Sequence, residues 1–306
     1  ASQVAEVSEG SREDAKKAIS EARKAFEGGW GQTGRKEKQG LLLKLAELIK
    51  RDKEELANLE SLNTGKTMEE SRWDMDDIYN IFKFYAKLLD NDFTEKVQSP
   101  IPDSTSLVVK EPIGVCGQIS PWNYPLLQAS WKMAPALAAG CTIIMKPSEL
   151  TPLTTVKVTE LAVEAGYPPG VVNLVLGPGH TVGAEMAENH DVDLISFTGG
   201  SLTGRKIMNA ASGNIKKVAL ELGGKNPHLI FDDCDFETAV DYALNGVFFH
   251  AGQICSAGTR LMVQKSISGP FIKALKSKME KIKLGNGFDE GTEMGPVISK
   301  EHLSKI

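Results

Sequence analysis

In the stretch HAGQICSAGTR, residues 250–260, Cys255 stands among small residues with a glycine three positions to either side. Little in that neighbourhood would line an apolar core. The thiol reads either as an inert small hydrophobe or as a nucleophile held within a substrate's reach. Two other motifs bear on the choice. LELGG at 220–224 places Glu221 at the end of an apolar run, beside glycines that permit close backbone approach. PWNYP at 121–125 places Asn123 just after another such run, where an amide N–H can donate to a developing oxyanion. Singly, Glu221 also reads as a salt-bridge partner and Asn123 as a helix cap. Together, a thiol, a carboxylate and an amide are the parts needed for nucleophilic attack on a carbonyl.

A second group points to a nucleotide. In KPSE at 146–149, Lys146 ends a strand pattern, so its ammonium falls at the ligand edge of a sheet. Glu149 can accept hydrogen bonds from both hydroxyls of a ribose, and its charge repels a 2′-phosphate; this favours NAD over NADP. The usual GxGxxG fingerprint is absent. GPGHTVG (177–183) spaces its last glycine one residue too far, and FTGGSLTG (197–204) offers Gly199 and Gly200 at a strand-to-helix turn. Each turn can present backbone N–H groups to a pyrophosphate, and each is equally readable as an ordinary connection. Trp122, Ser148, Gly177 and Leu222, inside or beside these motifs, complete the candidate cofactor contacts.

These side chains need a scaffold that gathers strand ends. Residues 113–222 supply one. Apolar runs at 113–119, 142–146, 171–176, 193–197 and 217–222 alternate with helical patterns. Short runs that are apolar throughout predict strands covered on both faces, hence an α/β fold with a doubly wound parallel sheet. Ligands bind such sheets at the carboxyl ends of the strands. Before them, 11–28, 35–60 and the stripe Ile78, Phe82, Tyr85 and Leu89 predict helices. Pro100, Pro102 and the PDS turn make 94–112 a projecting hairpin, either a subunit contact or a plain surface feature. Helices at about 236–250 and 269–283 flank a strand at 260–264.

The bulk properties are those of an ordinary water-soluble protein. The length of 306 residues allows about two domains. A net charge of −5 offers no electrostatic reason to bind nucleic acid or an anionic membrane. The longest apolar run, 134–145, is too short to span a bilayer. The opening ASQVAEVSEG reads as no signal peptide. Cys116, Cys141, Cys234 and Cys255 are widely spaced with no CxxC pair, which predicts neither a metal site nor a disulfide framework and a reducing, cytoplasmic setting.

FFHAGQICSAGTR, VALELGGKNP, PWNYP and KPSE, in this order and spacing, resemble the NAD(P)-dependent aldehyde dehydrogenase superfamily; FTGGSLTG and EMGPVIS match its secondary motifs. The resemblance covers essentially the whole chain. It implies Cys255 as nucleophile, Glu221 as general base and Asn123 as oxyanion-hole amide. It implies that Lys146 and Glu149 hold the adenosine ribose, and that Gly199 and Gly200 lie near the pyrophosphate. The implied architecture is a Rossmann-like NAD-binding domain at 1–222, with the 94–112 hairpin as an oligomerisation arm, and an incomplete catalytic domain at 223–306. A homodimer or homotetramer is expected. The pattern extends beyond both ends of this chain, so a longer protein, or a catalytically silent fragment keeping the dinucleotide fold, are both expected readings.

The wording PLLQASWKMAPALAAG, WDMDDI and HAGQICSAG is most similar to the bacterial betaine aldehyde dehydrogenase subgroup. A trimethylammonium substrate would suit an aromatic cage through cation–π attraction. Tyr124 and Trp131, on one face of the helix after PWN, and Phe249 before the nucleophile are the candidate walls. They read equally as apolar lining for another small aldehyde.

Overall fold

The computed structural model describes residues 4–306. The amino-terminal third is helical: α1 (Arg12–Glu27), α2 (Arg35–Arg51), α3 (Lys53–Thr64) and α4 (Met68–Leu88). Ser11 and Asp14 cap α1 reciprocally, as Thr67 and Glu70 cap α4, so orphan N–H groups of each first turn are satisfied. The single helix expected over 35–60 is in fact two. The chain leaves helical geometry at Asp52 (φ −95°, ψ 17°) and restarts at once. A stripe of leucines spans the break without recording it.

The predicted hairpin is present as β1 (Glu95–Val97) against β2 (Ser106–Val108), antiparallel. Five strands then alternate with helices: β3 (Val115–Ile119), α5 (Pro125–Ala139), β4 (Thr142–Lys146), α6 (Leu153–Ala165), β5 (Val172–Leu174), α7 (Ala184–Glu188), β6 (Leu194–Gly199), α8 (Ser201–Ala211) and β7 (Lys217–Leu222). They form one parallel sheet in the order β5-β4-β3-β6-β7. The fold is α/β with a doubly wound sheet. Every residue of β3 and β4 is buried. Ile143 and Met145 pack on one face with Leu45, Phe82 and Met133, and Ile144 on the other with Ile19 and Ile207, as the period of two requires.

The chain builds outward from β3 through β4 to β5, then returns to β6 on the other side of β3. The order therefore reverses between β3 and β6, and a crevice opens at their carboxyl ends. After Leu222 a separate parallel pair forms, β8 (Pro227–Ile230) with β9 (Arg260–Val263). It packs with α9 (Phe236–Phe248) and α10 (Ser268–Met279) around Ile230, Val240 and Phe271, and α11 (Lys300–Lys305) follows. Strand β8 was not expected from the sequence: NPHLI is short and begins with a polar residue and a proline.

Candidate active site

The crevice holds a cleft of about 630 Å³. Trp122 from the end of β3, Lys146, Ser148 and Glu149 from the end of β4, and Gly199 and Gly200 from the end of β6 all line it. Lys146 is 2% exposed and donates to the Pro147 carbonyl (2.9 Å) and Glu149 Oε1 (3.1 Å). Burial lowers its pKa, opposed by Glu149. One of its three N–H donors remains for a ligand. Gly200 stands at the N-cap of α8 with no side-chain cap, which leaves backbone N–H groups facing the cleft beside Lys206. These residues fit a dinucleotide: hydroxyl acceptors at one end, N–H donors and a cation at the other.

Two expected cofactor contacts lie elsewhere. Gly177 (φ +139°) serves close packing, since a Cβ there would meet the Gly10 carbonyl oxygen at 2.5 Å. Leu222 points at Gly204 of α8, where an added Cβ would meet its Cδ2 at 2.9 Å. Neither lines the cleft.

Cys255 is exposed, on a turn between α9 and β9. Two asparagines pin that turn. Asn123 Nδ2 donates to the Gln253 carbonyl at 2.7 Å, and Asn226 Nδ2 donates to the carbonyls of Cys255 (2.7 Å) and Ala257 (3.1 Å). The backbone at Gly224 lies close enough to Cys255 that a Cβ would sit 3.4 Å from its carbonyl oxygen. Upstream, His250 (φ 48°), Ala251 (φ 55°) and Gly252 (φ 72°) run consecutively left-handed. For the two non-glycine residues this costs about 1–2 kcal/mol each, sustained only where surroundings over-determine it.

Glu221 is exposed at the end of β7, paired in register with Thr198 of β6. Thr198 Oγ1 accepts from the buried Lys132 Nζ at 2.6 Å. Burial pulls Lys132 down to about 8, with Glu221 opposing the shift. A cation able to lose its proton near neutral pH thus stands within electrostatic reach of the carboxylate.

Below the turn lies a buried ionic cluster. Lys66 is 1% exposed; its Nζ lies 2.5 Å from Asp74 Oδ2, 3.7 Å from Glu60 Oε1 and 3.6 Å from the centroid of the Tyr124 ring. Burial, then Asp74, Glu70 and the nearby Cys255, push the Tyr124 phenol up. The expected cage is differently partnered. Tyr124 meets Lys66 and His250 (ring centroids 5.3 Å apart), and Phe249 stacks on Trp73 at 6.1 Å. Trp131, about half exposed on α5, makes no ring contact among the described residues.

A sequence profile described as the aldehyde dehydrogenase family matches residues 1–306. The chain belongs to the aldehyde dehydrogenase family. It is 65% identical over 305 residues to a protein of Bacillus subtilis named betaine aldehyde dehydrogenase, covering 99% of this chain and 62% of that one. It is 43% identical to an aminoaldehyde dehydrogenase of Arabidopsis thaliana, over 99% of this chain and 62% of that protein. A crystal structure of Staphylococcus aureus betaine aldehyde dehydrogenase in complex with NAD+ superposes with a TM-score of 0.95 at 59% identity, covering 98% of this chain and 59% of the other. The chain spans about three fifths of the length of the relatives it matches.

Sequence reasoning within this aldehyde dehydrogenase chain missed Asn226, Lys132 and Trp73. Asn226 lies inside the GGKNP stretch that follows Glu221, and that nearness was an available signal. Lys132 and Trp73 sit on helical faces that read as packing or solvent, and no local pattern marks them.

Proposed function

We propose that this chain supplies the cofactor cleft and the nucleophile of an NAD-dependent aldehyde dehydrogenase acting on betaine aldehyde. The observation that carries the reading is the convergence of Asn123 and Asn226 on the Cys255 turn, at the carboxyl edge of the sheet that bears the cleft. In this reading residues 1–222 are the NAD-binding domain and 223–306 part of the catalytic domain.

Cys255 Sγ attacks the aldehyde carbon; a C–S bond forms, and the carbonyl oxygen takes the negative charge. Asn123 carries two N–H donors. One is spent on Gln253, which fixes the amide and leaves the other for the oxyanion. The Cys255 N–H donates to no described residue and serves as the second donor. Each such donor is worth about 2.7–4 kcal/mol of barrier. NAD, when bound, supplies the hydride acceptor that converts the thiohemiacetal to a thioester. Glu221 then takes a proton from water as that water attacks the thioester; the C–S bond breaks, the carboxylic acid leaves with the Cys255 thiolate restored, and Glu221 returns its proton to solvent. Lys132, bonded to Thr198 across the strand pair from Glu221, offsets the carboxylate's charge. Lys146 and Glu149 hold the adenosine ribose, with Trp122 and Ser148 beside them. The Glu149 carboxylate disfavours a 2′-phosphate and hence NADP.

The names of the Bacillus and Staphylococcus relatives support betaine aldehyde as substrate. Trp73 and Phe249 form one aromatic wall for its trimethylammonium group, and Tyr124 another. A second reading, an aminoaldehyde or other small aldehyde, draws on the plant relatives. The hairpin exposes Leu107, Val108 and Val109, which supports an oligomer built through that arm. Four free thiols support a reducing, cytoplasmic setting. The test is NADH formation by the intact protein with betaine aldehyde and with simple aldehydes, for wild type and Cys255→Ala. Turnover on betaine aldehyde that is lost in the variant is the expected result. Activity on simple aldehydes alone rejects the substrate, and no activity on any aldehyde rejects the enzyme.

A further inference from the structure

The left-handed run before the nucleophile is tied to a distant helix by one side chain. Glu70, buried in the first turn of α4, accepts three hydrogen bonds. Its Oε2 takes the backbone N–H (2.9 Å) and the hydroxyl (3.0 Å) of Thr67, closing the capping box. Its Oε1 takes the N–H of His250 at 2.9 Å, across 180 residues of chain.

From His250 the connections run to the reacting groups. The His250 carbonyl accepts from the Gln253 N–H (3.0 Å) and from Gln253 Nε2 (3.3 Å). The Gln253 carbonyl accepts from Asn123 Nδ2, and Gln253 Oε1 accepts from the Ile298 N–H at 2.9 Å. The His250 ring lies edge-on to Tyr124. Glu70 therefore anchors the start of a strained segment whose end sets both the oxyanion amide and the nucleophile.

We propose that Glu70 is a positioning residue for the nucleophile turn, holding the His250–Gly252 backbone in its left-handed conformation so that Asn123 and Cys255 stay aligned. The proposal rests on the reading of Cys255 and Asn123 given above. A carboxylate suits the task because both of its oxygens accept, one toward each segment. A glutamine at this position offers one acceptor and one NH₂, so either the helix cap or the His250 N–H must face a donor.

The experiment uses Glu70→Gln and Thr67→Ala in the intact protein. Thr67→Ala weakens the α4 cap without touching the bond to His250, and so reports what a purely structural role does. For Glu70→Gln, kcat is expected to fall about 100-fold with KM for the aldehyde little changed, as misplacement of a reacting group by about 1 Å produces. Iodoacetamide labelling of Cys255 slows several-fold in parallel, because the turn that presents the thiol is no longer held in place. Thr67→Ala lowers Tm but leaves kcat and labelling unchanged. Equal effects of the two variants on kcat and labelling overturn the proposal, as does Glu70→Gln with wild-type values of both. If Glu70→Gln does not fold, Glu70→Gln/Ala251→Gly decides. Glycine removes the strain that Glu70 holds, so a folded variant with restored kcat supports the proposal, and one still unfolded or inactive overturns it. A wild type that oxidises no aldehyde, with Cys255 labelling still slowed by Glu70→Gln, rejects the enzymatic reading and keeps the positioning role.

Discussion

Replacing Lys66 with methionine removes the cation at the centre of the buried cluster while keeping most of its volume. The side chains of Lys66 and Glu60 are wholly buried, and that of Asp74 is nearly so. Burial drives Glu60 up to about 7 from 4.5 even with Lys66 opposing, and raises Asp74 likewise. Without the ammonium both carboxyls lose that opposition and rise further. Removing one partner of a buried pair costs about 3–5 kcal/mol, because a charge is left uncompensated. In a chain of this size that is a fall in Tm of about 10 °C. The sign with pH follows from the raised carboxyl values. A carboxyl whose folded pKa lies above its unfolded one contributes stability below about pH 4.5 that is lost as pH rises to about 7, here about 3 kcal/mol for Glu60. In Lys66→Met that loss extends to higher pH. The deficit relative to wild type is therefore largest near pH 8 and shrinks toward pH 5, where the carboxyls carry protons. Thermal and urea unfolding of both proteins at the two pH values measures it. A deficit equal at both, or below about 1 kcal/mol at pH 8, would refute the electrostatic account of the cluster.

Three further outcomes follow from the geometry. Asn226→Ala removes two hydrogen bonds to the Cys255 turn, each worth about 0.5–1.5 kcal/mol, and is expected to lower kcat about 10-fold while leaving NAD binding intact; steady-state kinetics and cofactor titration separate the two. Glu149→Gln deletes the charge that repels a 2′-phosphate, so the ratio of kcat/KM for NAD over NADP should shrink about 10-fold, a change of about 1.4 kcal/mol. Gly114→Ala places a Cβ 1.9 Å from Asp193 Oδ2 at φ +126°, displacing the carboxylate that accepts from the Val115 N–H and pairs with Arg23. A loss of more than about 2 kcal/mol in unfolding experiments is expected, and an unchanged Tm would mean the strand entry is less constrained than the contact implies.

The parts of this protein that were legible in its sequence share a physical reason. Strands β3 and β4 are buried at every position and largely apolar because both faces are covered, and such short apolar runs read directly as a parallel sheet. Once the strands were placed, Asn123, Lys146, Glu149 and Gly199 each followed a strand end, and a parallel sheet gathers its strand ends at one edge. What holds those residues in place was not legible, because it is non-local and written in letters that normally mean surface. Lys66, Glu60 and Asp74 look like solvated surface residues, yet all three are buried, with the Lys66 ammonium against the Tyr124 ring. Trp73 finds Phe249 across 176 positions of chain, and no periodicity in either helix encodes that meeting. Gly177 shows how one letter carries two meanings. Glycine is required at a phosphate turn and equally where two backbones touch, and its closeness to Gly10 was not readable from the sequence. The residues that do chemistry are thus constrained by type and by position along the chain. The residues that support them are constrained by three-dimensional neighbours alone, which is why Glu70 reads in sequence as nothing more than the third residue of a helix.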